Sequence, residues 1–348
     1  MPFSYRRALG ITVTAVATST AALAAQAPQA PPTPQVTVGG VVYGQFLYQL
    51  KDSLGAGHQN NFSVQRSYFN VIGRFAGGVQ TRVTADLQPA AAGNQMLRLK
   101  YAFAAWTPTG SVLTYKLGLL HTPLLDWEEA LWDYRMQGQM AFERAGYGSA
   151  ADFGAGVDGK WGPDKVNMQV TLVNGEGYSG GGGDQRKDVM GRVSVRVLDT
   201  DDSSRVGGLR ITAYGQYGKP TGGGERQRLL GMVSYRTKHL TLAGEALVAR
   251  DSVTAPVTVE QNGHLFTAFG VYKVPASKVA VLARVDIWHK QAGATDKQTR
   301  IIGGVSYQLS PNWRLLGDWD YVNYQTDPLN TANDATRSQA LFQTQFTF

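Results

Sequence analysis

The chain has 348 residues, no cysteine, 41 glycines and 16 tyrosines, with 33 basic against 26 acidic side chains and a formal net charge of +7. The lack of cysteine excludes a disulfide scaffold, thiol chemistry and cysteine-ligated zinc. Charges of both signs are dispersed, with no basic cluster interleaved with aromatics on one element, so nucleic acid is not an expected partner.

Residues 1–25 read as a cleaved signal peptide. Arg6 and Arg7 form a basic start, a modestly apolar small-residue stretch follows, and Ala22-Leu23-Ala24 makes an A-x-A-like cleavage site. Loss of the two arginines leaves +5 on the mature chain. Residues 26–35 form a Pro-rich leader with no means of building a core. Beyond it there is no apolar run of the roughly 18 residues that a membrane helix needs. The remaining chain is therefore soluble or crosses a membrane as strands.

From 36 to 348, apolar and polar residues alternate with period two in sixteen segments. They lie near 37–50, 62–76, 78–88, 95–107, 111–121, 152–161, 164–174 and 187–198. The rest lie near 206–218, 226–237, 239–250, 263–274, 277–290, 298–309, 312–325 and 337–348. Short Gly/Pro turns such as "AGG", "PTG" and "SPN" alternate with long links such as "KDSLGAGHQNN", "NGEGYSGGGGDQR", "DSVTAPVTVEQN" and "TDPLNTANDAT". The expected fold is all-β: a 16-stranded antiparallel transmembrane β-barrel with tight turns at one end, long loops at the other and a wet inner wall. The longest link, the third external loop from Thr122 to Ala151, contains a helix-like stretch with Asp126 as N-cap and Trp127, Leu131 and Tyr134 on one face.

Alternation assigns the faces. In the third segment Val79, Val83 and Leu87 oppose Arg82 and Asp86; in the eighth Val189, Val193 and Val197 oppose Arg192 and Arg196. A soluble sandwich would bury the apolar face instead, but chain length, loop asymmetry and the secretory start favour the barrel. Since Arg or Lys on the lipid face near the midplane costs about 2–4 kcal/mol, the charged face looks inward. The expected basic lining is Arg66, Arg74, Arg82, Arg98, Lys100, Lys116, Arg192, Arg196, Arg210, Arg228, Arg236, Arg284 and Arg314. The expected acids are Asp86, Glu245, Asp286, Asp318 and Asp320 on the wall, with Asp126, Glu128, Glu129 and Asp133 on the third loop. A basic excess in a pore favours anions, moderated here by the acidic loop. Tyr43, Tyr48, Tyr101, Trp161, Tyr235, Tyr307 and Trp313 are candidates for interfacial aromatic girdles.

The last segment places Phe342, Phe346 and Phe348 on one face and Gln343 and Gln345 on the other. A terminal Phe348 closing such a strand looks like the assembly signal of bacterial outer-membrane barrels, whose last strand zips to the first. That likeness implies the barrel-assembly machinery, outer-membrane lipid and lipopolysaccharide as partners.

Five segments between about 62 and 198 resemble the phosphate-selective porin O and P family: "VQRSYFNVIGRF", "LRLKYAFAAW", "YKLGLLHTPL", "MQVTLVNGEG" and "KDVMGRVSVRV". The resemblance implies a homotrimeric 16-stranded porin whose third loop narrows the pore, with Arg66, Arg74, Arg98, Arg192 and Arg196 in an arginine track. The chain departs from that family at Leu120-His121-Thr122, where a polar, basic pair is usual, and in its acidic third loop.

His58, His121, His239, His264 and His289 are scattered and make no metal-pair spacing, so no metal or cofactor is expected. The Gly-rich "SGGGGD" and "TGGGE" lack the following helix that a phosphate cradle needs. The expected function is passive diffusion of small hydrophilic solutes with weak anion preference, extending to phosphate or another oxyanion, and no enzymatic activity. The alternatives are a substrate-specific binding channel, or an outer-membrane enzyme or adhesin, for which His239 with Ser234 or Thr241 is the nearest catalytic pairing.

Overall fold

Runs of β-branched and aromatic residues alternating with polar ones become sixteen strands in the computed structural model, which describes residues 33–51, 58–90, 94–180, 184–220, 223–253, 259–326 and 337–348. The expected signal peptide and most of the Pro-rich leader lie outside the described residues, as do parts of several long links. The strands are β1 Gln35–Gln49, β2 Asn60–Arg74, β3 Val79–Pro89, β4 Gln95–Trp106, β5 Leu113–His121 and β6 Ala151–Trp161. They continue as β7 Val166–Val173, β8 Asp188–Leu198, β9 Gly208–Gly218, β10 Arg226–Arg236 and β11 Leu240–Val253. The last five are β12 Val259–Lys273, β13 Val279–His289, β14 Gln298–Ser310, β15 Trp313–Tyr324 and β16 Ser338–Thr347. Each pairs antiparallel with its chain neighbours, and β1 pairs with β16, so the sheet closes on itself. Closure satisfies every ladder and leaves no edge, the condition for a sheet to sit in hydrocarbon.

The seam runs Val42↔Phe346, Gly44↔Thr344 and Phe46↔Phe342. Beyond the strand end, Gly40 N–H donates to the Phe348 carbonyl at 2.8 Å and Phe348 N–H donates back to Gly40 O at 3.0 Å. Outside, the barrel presents a belt of exposed apolar side chains, including Leu117, Ile211, Leu229, Val281 and Phe342. Among the described residues no helix is long and apolar enough to cross a membrane.

The third long loop turns into the barrel. It forms α1 Leu125–Trp132, a 3₁₀ turn at Arg135–Gln137 and α2 Ala141–Arg144. Helix α1 starts two residues before the expected position: Leu124 is its N-cap, and Asp126 lies in the first turn, where acids suit the helix dipole. It ends at Asp133, whose left-handed φ of 61° breaks the helix, so Tyr134 lies beyond it.

Three further expectations are corrected. The inner wall is not wet all round: Tyr214, Leu230, Met232, Leu247, Leu265, Phe269, Leu282, Ile302 and Leu316 form one apolar cluster with Leu125, Trp127, Leu131 and Trp132 of the loop. Tyr43 and Tyr101 are not girdle residues. Tyr43 is the inward partner of Arg66. At Tyr101 the ladder steps from Thr84↔Tyr101 to Ala85↔Leu99, leaving Lys100 as an extra residue. That bulge turns Lys100 and Tyr101 inward together. Trp161, Tyr307 and Trp313 are exposed on the outside. The expected loop at 251–262 is shorter than its sequence suggests, because β11 and β12 stay paired as far as Val253↔Val259.

Candidate functional site

The loop is seated by arginines from the wall. Trp127 is fully buried with the Arg192 guanidinium 3.9 Å from its ring centre, Arg210 at 5.4 Å and Arg205 at 5.7 Å. Arg192 donates to Pro123 O at 3.0 Å and Asn167 Oδ1 at 2.6 Å, and Arg210 donates to Gly207 O and Asp164 O. Arg205 donates to Asp126 Oδ2 at 2.6 Å. Burial would raise the Asp126 carboxyl, but His121 and Arg205 outweigh it and hold Asp126 well below the usual carboxylate range.

At the other end of α1 the wall caps the helix. Arg236 donates to Ala130 O at 2.7 Å and Arg314 donates to Asp133 O at 2.8 Å, placing two cations on the carbonyl end of the helix dipole. Asp133 also lies 3.4 Å from Lys273 Nζ. Arg284 grips Asp286 through two bonds of 2.8 Å and donates to Gln139 O at 3.1 Å. Arg228 pairs with Asp251 and lies over Tyr147, while Arg196 lies near Asp164 and Asp199. Seven of the expected lining arginines are thus committed to loop backbone, loop aromatics or neighbouring acids. The buried carboxyls of Glu128 on α1 and Glu245 on β11 face each other. Burial and Glu245 push the Glu128 carboxyl well above its ordinary range.

What stays open lies between the loop and the wall formed by β1–β4 and β16. Two spaces of about 340 and 490 Å³ share Tyr43 and Arg135 as lining residues. Arg135 is held by Glu129 at 2.8 Å and Glu143 at 3.2 Å. Opposite it, Arg82 donates to Thr84 and Asn70 at 3.1 Å and lies 4.6 Å from the Tyr101 ring centre. Lys100 donates to the Tyr68 hydroxyl at 3.1 Å. Arg66 and Arg98 flank buried Asp86 at 3.6 and 3.1 Å, and Arg98 also lies 4.1 Å from the Tyr178 ring centre. Lys116 is ion-paired with Asp158, outside both spaces, and Arg74 is exposed at the short-turn end of β2. The charged lining of the two spaces comprises Arg66, Arg82, Lys100, Arg135, Arg144, Arg205 and Arg300 against Asp126, Glu129, Asp133 and Asp320. The passage is therefore basic on balance. Asp318 and Asp320 accept from Gln137 of the loop at 3.5 and 3.2 Å.

Arg135, Arg144, Arg205 and Arg300 were not expected at the site. Alternation did not flag Arg300, because its strand mixes Ile302, Gly304 and Ser306 on the same inward face. Arg135 and Arg144 sit on the loop, where no period applies. Burial, then Arg300 and Arg284, lower Arg144 to about 9. Among the described residues no group of three His, Cys, Asp or Glu is placed to hold a metal ion.

No known protein family and no curated protein matches the sequence. Solved structures do share the fold. The anion-selective porin from Comamonas acidovorans aligns with TM-score 0.67 at 13% identity over 91% of this chain and 100% of that one. The outer membrane channel DcaP of Acinetobacter baumannii aligns with TM-score 0.64 at 11% identity over 90% and 97%. The trimer form of OmpT from Vibrio cholerae gives 0.63 at 11% identity over 90% and 99%.

Proposed function

We propose that the protein is a bacterial outer-membrane porin that lets small hydrophilic solutes diffuse passively, with weak preference for anions. The observation that carries this reading is the pair of open, net basic spaces between the inward-folded loop and the β1–β4 wall, which share Arg135 and Tyr43 as lining residues. The apolar outer belt suits a lipid surround, and the fold shared with porins and channels supports the same compartment. The expected pore-lining role falls chiefly on Arg66, Arg82 and Lys100. Arg192, Arg210, Arg228, Arg236, Arg284 and Arg314 act by positioning the loop. A homotrimer is the proposed assembly, by analogy with the trimeric neighbour. Phosphate or another oxyanion as the preferred anion rests on the motif resemblance to the O and P family.

A substrate-specific channel is the second reading, favoured by the row of cations over tyrosine rings: Arg82–Tyr101 at 4.6 Å, Lys100–Tyr68 at 4.4 Å and Arg98–Tyr178 at 4.1 Å. Planar-bilayer recordings in a potassium chloride gradient test both readings. The proposal expects ohmic conductance and a reversal potential on the anion side. No conductance, or cation preference, overturns it. Phosphate current that saturates with concentration selects the second reading.

A further inference from the structure

A smaller pocket of about 100 Å³ lies between α2 and the inner faces of β12–β15. One side is apolar, with Leu265 and Val322, each 3% exposed, beside Trp288, Ala141 and Ala145, and Gln298 and Tyr324 also border it. Two guanidiniums, Arg144 and Arg300, line both this pocket and the 490 Å³ space beside it. We infer that the pocket binds short-chain organic monocarboxylates, with the carboxylate between Arg144 and Arg300 and the hydrocarbon body against Leu265, Val322 and Trp288.

Hydrogen-bond partners in the fold leave these cations underused. Asp286, the acid in the pocket wall, is held by Arg284 through both of its oxygens at 2.8 Å. Arg144 reaches Asp286 Oδ2 only at 3.4 Å, and that oxygen already accepts from Arg284. Its guanidinium makes no other hydrogen bond among the described residues, so most of a five-donor fork is unclaimed. Arg300 uses Nε and Nη2 on a single oxygen of Asp320. Asp318, the neighbouring inward acid, faces Gln137 at 3.5 Å. Three guanidiniums thus share two contacting carboxylates. Burial first and that crowding second lower Arg144, and a bound anion would offset both.

The apolar body decides the ligand class. A bare oxyanion would satisfy the guanidiniums but leave the apolar side of the pocket unfilled, whereas a carboxylate with a short tail occupies both. A cavity of about 150 Å³ accepts benzene, so on the same scale this pocket takes about four non-hydrogen atoms, a short hydrocarbon tail whose carboxylate lies against Arg144 and Arg300 where they also line the 490 Å³ space. The site depends on the pore reading only for how ligand arrives.

Saturation-transfer NMR on the purified full-length protein in micelles tests binding directly, with butyrate, butyramide and inorganic phosphate as probes. Butyrate should give saturable transfer, with butyramide and phosphate about tenfold weaker. Arg300→Gln should weaken butyrate by about tenfold. Val322→Trp, or Ala145→Leu if that variant does not fold, should abolish it while leaving potassium chloride conductance unchanged. Absence of saturable butyrate transfer, equal binding of phosphate, or butyrate binding that survives the filling variants overturns the proposal. A protein that binds butyrate but conducts no current would overturn the pore reading alone.

Discussion

The guanidinium of Arg192 on β8 lies 3.9 Å from the ring centre of Trp127 on α1, and Trp127 has no exposed surface. A desolvated cation–π contact is worth about 2 kcal/mol, and truncating a buried Trp costs about 3–5 kcal/mol. That pair is the main tie between the inserted loop and the β7–β9 wall. Trp127→Ala should loosen the loop without opening the barrel. Single-channel conductance should rise, and trypsin should gain cleavage at Arg135 and Arg144. Unchanged conductance together with unchanged digestion would mean that the loop does not set the bore.

Arg135 faces the passage while Glu129 and Glu143 hold it from behind at 2.8 and 3.2 Å. Arg135→Ala removes the cation that both spaces share and strands both carboxylates beside them. A unit charge about 4 Å away contributes about 1 kcal/mol in water, so the anion-to-cation permeability ratio should fall on the order of fivefold. Reversal potentials in a salt gradient read this out. A ratio indifferent to the change would place selectivity on Arg66, Arg82 and Lys100 of the wall instead.

None of the oxygens of Glu128 and Glu245 accepts a hydrogen bond from a donor at normal distance, so contact between the two carboxyls requires a retained proton. The folded state favours protonated Glu128, whose pKa is raised by burial and Glu245. The sign follows: loop seating is complete at acid pH and weakens as pH rises through that raised value, by up to about 1.4 kcal/mol per pH unit. Glu128→Gln keeps a donor toward Glu245 and removes the titration. Melting of the wild-type protein should decline as pH rises above the ordinary carboxyl range, and the variant should be flatter over that window. Parallel profiles would show that the pair does not titrate in this window.

The seam ends on two backbone bonds between Gly40 and Phe348, at 2.8 and 3.0 Å. A side chain on Gly40 would bring its Cβ within 2.5 Å of both the Phe348 ring and the Tyr68 carbonyl. Deleting Phe348 removes both bonds, about 1–3 kcal/mol of closure, and the proposed assembly signal with them. Folded yield in the outer membrane should drop while surviving pores conduct normally. Altered conductance in correctly folded pores would assign Phe348 a role in the passage. Gly40→Val should reproduce the yield defect by steric clash alone.

Local pattern made the barrel legible. Strand period is a property of neighbouring residues, so Val193 and Val195 outside and Arg192 inside β8 follow from spacing alone, as do the outward Phe342 and Phe346 of β16. Turn chemistry marked the short ends in the same way. Tyr101 was illegible because one extra residue, Lys100, shifts the ladder, and a bulge leaves no composition signal.

The interior was decided by partners distant in the chain. Arg236 caps a helix 106 residues away, and Arg314 donates to a carbonyl 181 residues away. Alternation established that these arginines point inward, and it could not establish what they meet. Their charge reads as a basic pore wall until the loop occupies that half of the barrel and takes their donors. The sequence by itself determined a closed sheet with an apolar exterior and a charged interior, because lipid and water sort side chains by polarity one residue at a time. Only the tertiary structure decided which cations hold the loop and which remain for solutes, because that choice depends on what lies across the lumen.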